Sequence, residues 1–181
     1  YELALLHFYR GEFEAALERV RRTNADPSTD VANDAIEMKV LLIQNKGPDS
    51  LSTPLRRYAR ARLLQRQRHY GEALAVLDTL LTEYAQHPLA DEAHFLRATL
   101  LRERGRAEAA VEAFAEIPRL FPQSPLADRS LFQAAQAQEQ SLDDADAALD
   151  TYTQLLEAYP SSLLAAKARE RIRALQRSVR S

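Results

Sequence analysis

A self-similarity with a period of 37 residues limits what this chain can fold into more tightly than its composition does. Residues 88–122 read PLADEAHFLRATLLRERGRAEAAVEAFAEIPRLFP. They hold an apolar-periodic run of about four turns, a break centred on Gly105, a second periodic run and a closing proline, which predicts a helical hairpin. Shifting along the chain recovers the pattern. Tyr58, Phe95 and Phe132 stand 37 apart, as do Ala61, Ala98 and Ala135. In the second helix Ala73, Ala110 and Ala148 recur at 37 and 38, and so do Leu77, Phe114 and Tyr152, then Tyr84, Phe121 and Tyr159. The extra residue falls in the turn at 141–144. Leu89, Leu126 and Leu164, each followed by an alanine, mark the joints between units.

Small residues at fixed places let two helices approach to the near end of the usual spacing of about 8 to 10 Å, and large residues then fill the space between hairpins. A unit of this size cannot hide its own apolar face, so near copies must stack. The alanine pair twelve apart, Ala61 with Ala73 and Ala98 with Ala110, returns as Ala4 with Ala16. That places a partial unit at the chain start, with Tyr1 in the aromatic column.

Taken in order, residues 1–28 are expected to hold the first hairpin, with helices over 1–10 and 12–22 turned by Gly11, and a break at 24–28 around Pro27. Residues 29–51 are expected to hold one inserted helix over 30–45, started by Thr29 or Asp30 and ended by Lys46, Gly47 and Pro48. The step from Ala16 to Ala73 is 57, one repeat plus 20 residues, so this helix has no partner in the register. Its strip of Ile36, Val40 and Ile43, flanked by Leu41 and Leu42, is apolar enough to need burial, which would set it as a half-repeat between the first two hairpins. Full repeats follow at 52–87, 88–124 and 125–160, with helices over 52–68 and 70–86, 88–104 and 106–121, and 125–140 and 143–158. Residues 161–181 are expected to cap the stack with a helix over about 162–178. Leu163, Leu164, Ala168, Ile172 and Leu175 fall on one side of it, and Lys167, Arg169, Arg171, Arg173 and Arg177 elsewhere.

With 46% apolar and 28% charged residues and only four glycines in 181, the composition suits one packed helical array. No run approaches the roughly 18 apolar residues a membrane span needs. The absence of cysteine excludes disulfides, thiolate zinc sites and cysteine nucleophiles. A net charge of −2 argues against a nucleic-acid-coating protein, whose affinity comes from many cationic contacts to phosphate. The chain opens at Tyr1 inside a helical pattern, as an excised fragment would, so the missing signal-peptide features say little about targeting.

The repeat resembles the tetratricopeptide family, whose 34-residue pattern has a small residue at position 8, glycine near 15, an aromatic near 17, alanine at 20, a large apolar residue at 24 and proline at 32. Ala98, Gly105, Ala110, Phe114 and Pro122 meet it in one unit, and Ala4, Gly11, Phe13, Ala16 and Val20 in the first. The longer joint, P-x-S-x-L-A-D over Pro122, Ser124, Leu126, Ala127 and Asp128, looks like the divergent repeats of bacterial cell-envelope proteins, of the tol-pal-associated and outer-membrane assembly lipoprotein type. The resemblance implies an all-α fold, a right-handed alpha-alpha superhelix of antiparallel hairpins with about ten helices, and a periplasmic or envelope location. Arg57 and His94 at position 4, and Arg60 and Arg97 at position 7, depart from the family pattern. Either those helices are rotated or these side chains snorkel from a partly covered face.

By the same resemblance position 5 faces the concave groove, giving Tyr58, Phe95 and Phe132 after Tyr1; position 9 gives Arg62, Thr99 and Gln136, and position 12 gives Gln65, Arg102 and Glu139. Rings beside guanidinium groups suit peptide capture. Ordinary packing between adjacent first helices is the plainer reading of the rings. Arg56, Arg57, Arg60, Arg62, Arg66 and Arg68 form a basic block with no acid between positions 50 and 71. Glu139, Asp143, Asp144, Asp146, Asp150 and Glu157 form an acidic tract with no base over 133–166. Such segregation steers a charged partner, orders copies head to tail, or is simply a solvated face. His87, Asp91 and His94 share the spacing of a metal-binding helix face, though Pro88 interrupts the first turn. Asp143, Asp144 and Asp146 lack the glycine and distal glutamate of an EF-hand, and helix capping accounts for them better.

No HExxH, glycine-rich phosphate loop or G-x-S-x-G elbow is present, and no cofactor is expected. The leading expectation is a non-catalytic interaction scaffold binding a protein or peptide through its concave face. The alternatives are a self-assembling module acting through its ends as a weak homo-oligomer, and a helical appendage of a larger envelope machine.

Overall fold

The computed structural model describes residues 1–22, 30–45 and 53–178. The breaks expected at 24–28 and at Lys46, Gly47 and Pro48, and the Thr29 cap, lie outside the described residues. Among the described residues the chain is all helix, in ten elements and without a strand: α1 (Glu2–Tyr9), α2 (Phe13–Arg21), α3 (Asp30–Asn45), α4 (Thr53–Arg66), α5 (Tyr70–Glu83), α6 (Ala90–Glu103), α7 (Ala107–Leu120), α8 (Ala127–Ser141), α9 (Ala145–Ala158) and α10 (Ala165–Ser178). The helices begin and end within a few residues of the periodic runs. Contacts divide the chain into two compact units, Tyr1–Ala93 and His94–Ser181.

Each hairpin turns through one left-handed residue. Gly11 (φ 73), Arg68 (φ 61), Gly105 (φ 78) and Asp143 (φ 53) occupy equivalent places. The following amide folds back onto a carbonyl five residues earlier, Glu12 to His7, His69 to Leu64 and Arg106 to Leu101, which satisfies carbonyls the helix end leaves open. At the fourth turn the extra residue stretches the bond to Asp144 N–H with Gln138 O.

In the first unit α1 packs on α2, α4 on α5, α3 on α2, and α4 reaches α1. Ala4, Ala16, Ala61 and Ala73, the paired alanines of the sequence, are all fully buried. The strip expected to bury α3 is turned the other way: Ile36, Val40 and Ile43 are 57%, 45% and 52% exposed. The buried face carries Ala32, Ala35, Met38 and Leu42, because small side chains admit the close approach to α2 that three β-branched ones would prevent.

In the second unit α7 packs on α8, α8 on α9 and α9 on α10. Leu131, Phe132, Ala135, Ala148, Tyr152, Leu155, Ala168 and Leu175 form its core, with Leu164 and Ile172 packed against them, so α10 covers α9. Two residues of the expected cap differ. Leu163 precedes the helix and is 97% exposed, while Arg171 turns inward to Glu139. Pro118 sits inside the last turn of α7, where its missing N–H forfeits a single bond and the helix runs on to Leu120.

Candidate functional site

The nine residues expected to line a groove stand at three equivalent positions of α4, α6 and α8. The ring position is used inside the hairpins. Phe95 meets Phe114 edge-on with centroids 5.4 Å apart, and Phe132 meets Tyr152 in the same way at 5.5 Å. Because Phe114 and Tyr152 are themselves equivalent, one contact is made twice, between the first and second helix of a hairpin. Tyr58 and Phe132 are buried and Phe95 is half-buried beneath the Arg129 guanidinium, 5.2 Å from its ring centre.

The two polar positions behave differently. Arg62, Thr99 and Gln136, and Gln65, Arg102 and Glu139, are all half-buried, neither sealed in a core nor fully solvated. Thr99 returns its hydroxyl to Phe95 O at 2.9 Å. Arg102 donates to Gln133 Oε1 and lies 5.8 Å over Phe114. Glu139 accepts from the Tyr152 hydroxyl at 3.2 Å, from Arg171 Nε at 3.2 Å and from Arg171 Nη2. Arg102 with Gln133 and Glu139 with Arg171 are again equivalent pairs, so position 12 of one first helix bonds the next first helix in the second unit. Burial pushes the Tyr152 phenol up to about 12.

In the first unit α4 presents Tyr58, Arg62 and Arg66 one turn apart, with Gln65 beside them. Arg62 donates to the Tyr58 phenol, and Tyr1 and Tyr9 of the α1 side are near enough to act on its charge. The Tyr58 phenol holds the Arg62 guanidinium above its ordinary range. Burial raises the Tyr58 phenol and, with Asp34 of α3, pushes Tyr1 up to about 12. Arg66 hydrogen-bonds Tyr9 and pairs with Glu2 at 3.2 Å.

The basic block is largely spent within the fold. Arg56 lies 5.7 Å over the Phe13 ring, and Arg57 pairs with Glu83 at 2.7 Å and stacks 5.4 Å over Tyr84. His94 meets Phe121 at 5.5 Å in the equivalent place, with the rings tilted by 53°, so the position-4 departures are polar side chains set against the aromatic that ends the second helix. In the acidic tract Asp144 caps α9 by accepting from Ala147 N at 3.0 Å, while Asp146, Asp150 and Glu157 are exposed. His87 is no free ligand: its Nδ1 accepts from Leu89 N at 3.1 Å, and burial lowers its pKa in keeping with a neutral ring. Among the described residues no three His, Cys, Asp or Glu side chains converge as a metal site needs.

Sequence reasoning gave no role to the joint residues that do this work. Ser124 Oγ accepts from Leu126 N and Ser162 Oγ from Leu164 N, both at 3.0 Å, as His87 does for Leu89. The signal was the serine of the P-x-S-x-L-A run, a side-chain turn that starts each new first helix.

Residues 58–125 match a family model described as tetratricopeptide repeat, and residues 129–162 match a second of the same description, together more than half of the chain. The chain carries tetratricopeptide repeats. Repeats of this family generally mediate protein–protein contacts as non-catalytic scaffolds. No curated protein matches the chain. Among the described residues no helix is long and apolar enough to cross a membrane.

Proposed function

We propose that this tetratricopeptide-repeat chain is a non-catalytic scaffold that takes a peptide or protein segment along the first helices of its hairpins, the face such repeats curve around. The observation that carries the reading is the half-buried state of all six polar side chains at positions 9 and 12. Such groups are reachable by a partner and already positioned by packing, which lowers the ordering cost of binding. A net charge of −2 favours protein over nucleic acid as the partner. The serine-containing joints favour a bacterial envelope setting, which fractionation of the source cells tests. A photo-crosslinking residue at Gln136 or Thr99 is expected to trap a protein partner from cell extract, while one at the exposed Glu116 of α7 is not. Adducts at Glu116 alone would reject this face.

A second reading, association of copies, is favoured by the exposed stripe of Ile36, Val40 and Ile43. Sedimentation that shows a monomer at every concentration removes it.

A further inference from the structure

We propose that the joint ahead of α6 is a proton-sensitive catch: a neutral His87 ring holds the start of the helix, and protonation of that ring releases it. The catch acts whichever face binds a partner.

The joints that precede α6, α8 and α10 share one backbone. His87, Ser124 and Ser162 each donate their N–H to the carbonyl of the aromatic three residues back, Tyr84, Phe121 and Tyr159, all at 3.0 Å. Each accepts at its own carbonyl from the residue three ahead, Ala90 at 2.9 Å and Ala127 and Ala165 at 3.1 Å. Each side chain then accepts from the amide two ahead, serine Oγ at 3.0 Å in two joints and His87 Nδ1 at 3.1 Å in the other. A hydroxyl accepts at any physiological pH. An imidazole nitrogen accepts only while it keeps its lone pair, so the Leu89 N–H demands the neutral ring with its proton on Nε2. A proton on Nδ1 sets two donors against each other. Leu89 is fully buried, and its amide stands ahead of the first turn of α6, where no helical carbonyl serves it. The ring itself is half-buried, within reach of solvent.

The charged groups on the surrounding turns leave the ring alone. Arg57 of α4 is paired with Glu83 of α5 at 2.7 Å and lies over Tyr84. On α6, Asp91 accepts from Glu92 N at 2.9 Å, and His94 is set against Phe121. Asp128 of α8 accepts from the Ser162 hydroxyl, whereas the corresponding position of α4 is Pro54, which offers an imidazolium no carboxylate. Burial is what lowers the His87 pKa below 6.5. Above 6.5 the ring is neutral in folded and unfolded chains alike, and the catch is whole. As pH falls below 6.5 the unfolded chain takes the proton first, and the catch is lost as pH passes the lower folded value. Glu92 runs the other way, since its proton arrives from about 8 downward and suits its burial. A loosening of the start of α6 in acid therefore belongs to His87.

Amide exchange in the whole chain, referred at each pH to the rate of an unstructured peptide, tests the catch between about pH 8 and about pH 5, with the ring followed by its own NMR signals. Protection of the Leu89 amide is expected to fall about tenfold in acid, the scale of one buried hydrogen bond lost, while Leu126 and Leu164 keep theirs. His87→Ser, which installs the acceptor of the other joints, is expected to keep the neutral protection and abolish the fall. His87→Ala is expected to lack the protection throughout. Leu89 protection that stays level while the ring titrates overturns the proposal, as does a fall that survives in His87→Ser. A ring that titrates at or above 6.5 overturns it too. Far-ultraviolet dichroism checks folding, and if neither variant folds, the wild-type comparison of Leu89 with Leu126 and Leu164 decides alone.

Discussion

Four equivalent turn residues, two of them glycine, allow backbone strain to be weighed one position at a time. A side chain in the left-handed region costs about 1 to 2 kcal/mol, a penalty glycine escapes. Arg68 is exposed and carries that penalty, so Arg68→Gly is expected to raise stability by about 1 kcal/mol. Gly105→Ala meets open space and is expected to lose about the same. Gly11→Ala should lose more, because the new methyl collides with Arg56 Nη1 and drives that guanidinium from its place over Phe13. Urea midpoints in the order Arg68→Gly, wild type, Gly105→Ala, Gly11→Ala check the argument.

Glu92 supplies a pH dependence. Burial, then a hydrogen bond to Asp91 and its charge, push the Glu92 carboxyl from 4.5 up to about 8, and its Oε2 has no hydrogen-bond partner. A folded pKa above the unfolded one means the contribution is complete below about 4.5 and is lost as pH rises to about 8. The loss is at most about 1.4 kcal/mol per pH unit, one proton's worth. Glu92→Gln is expected to flatten the fall in denaturation free energy across that window, and an unchanged slope would refute the assignment.

At the level of elements, the hairpins were legible because their evidence is columnar: Ala61, Ala98 and Ala135 repeat in sequence and are buried alike in space. The orientation of α3 was not, since a helix outside the register has no column, and apolarity alone pointed to Ile36 where alanines decided the contact. For the candidate residues, their equivalence from one first helix to the next was legible, but not their contacts. Whether Arg102 is available depends on Gln133, thirty-one residues away, and no local pattern announces that pairing. Removing α10 shows what an end helix contributes. A chain ending at Ser162 strips Ala168, Ile172 and Leu175 from the core around Tyr152, and is expected to bind a hydrophobic dye and lose cooperative unfolding of the second unit.

For the molecule as a whole, near copies that lean on their neighbours confine a perturbation to its surroundings. Leu155 is fully buried in the second unit, and Leu155→Ala is expected to cost about 2 to 5 kcal/mol there. Amide exchange should quicken in α8, α9 and α10 and stay unchanged in α1 and α2, and acceleration throughout would contradict the local picture. The added residue between α8 and α9 has a wider consequence. The Phe132 and Tyr152 rings meet as Phe95 and Phe114 do, although one stretch of chain between them is longer. Hairpin tips are therefore where such a protein can grow in evolution, and where an epitope or reporter could be spliced without disturbing the framework.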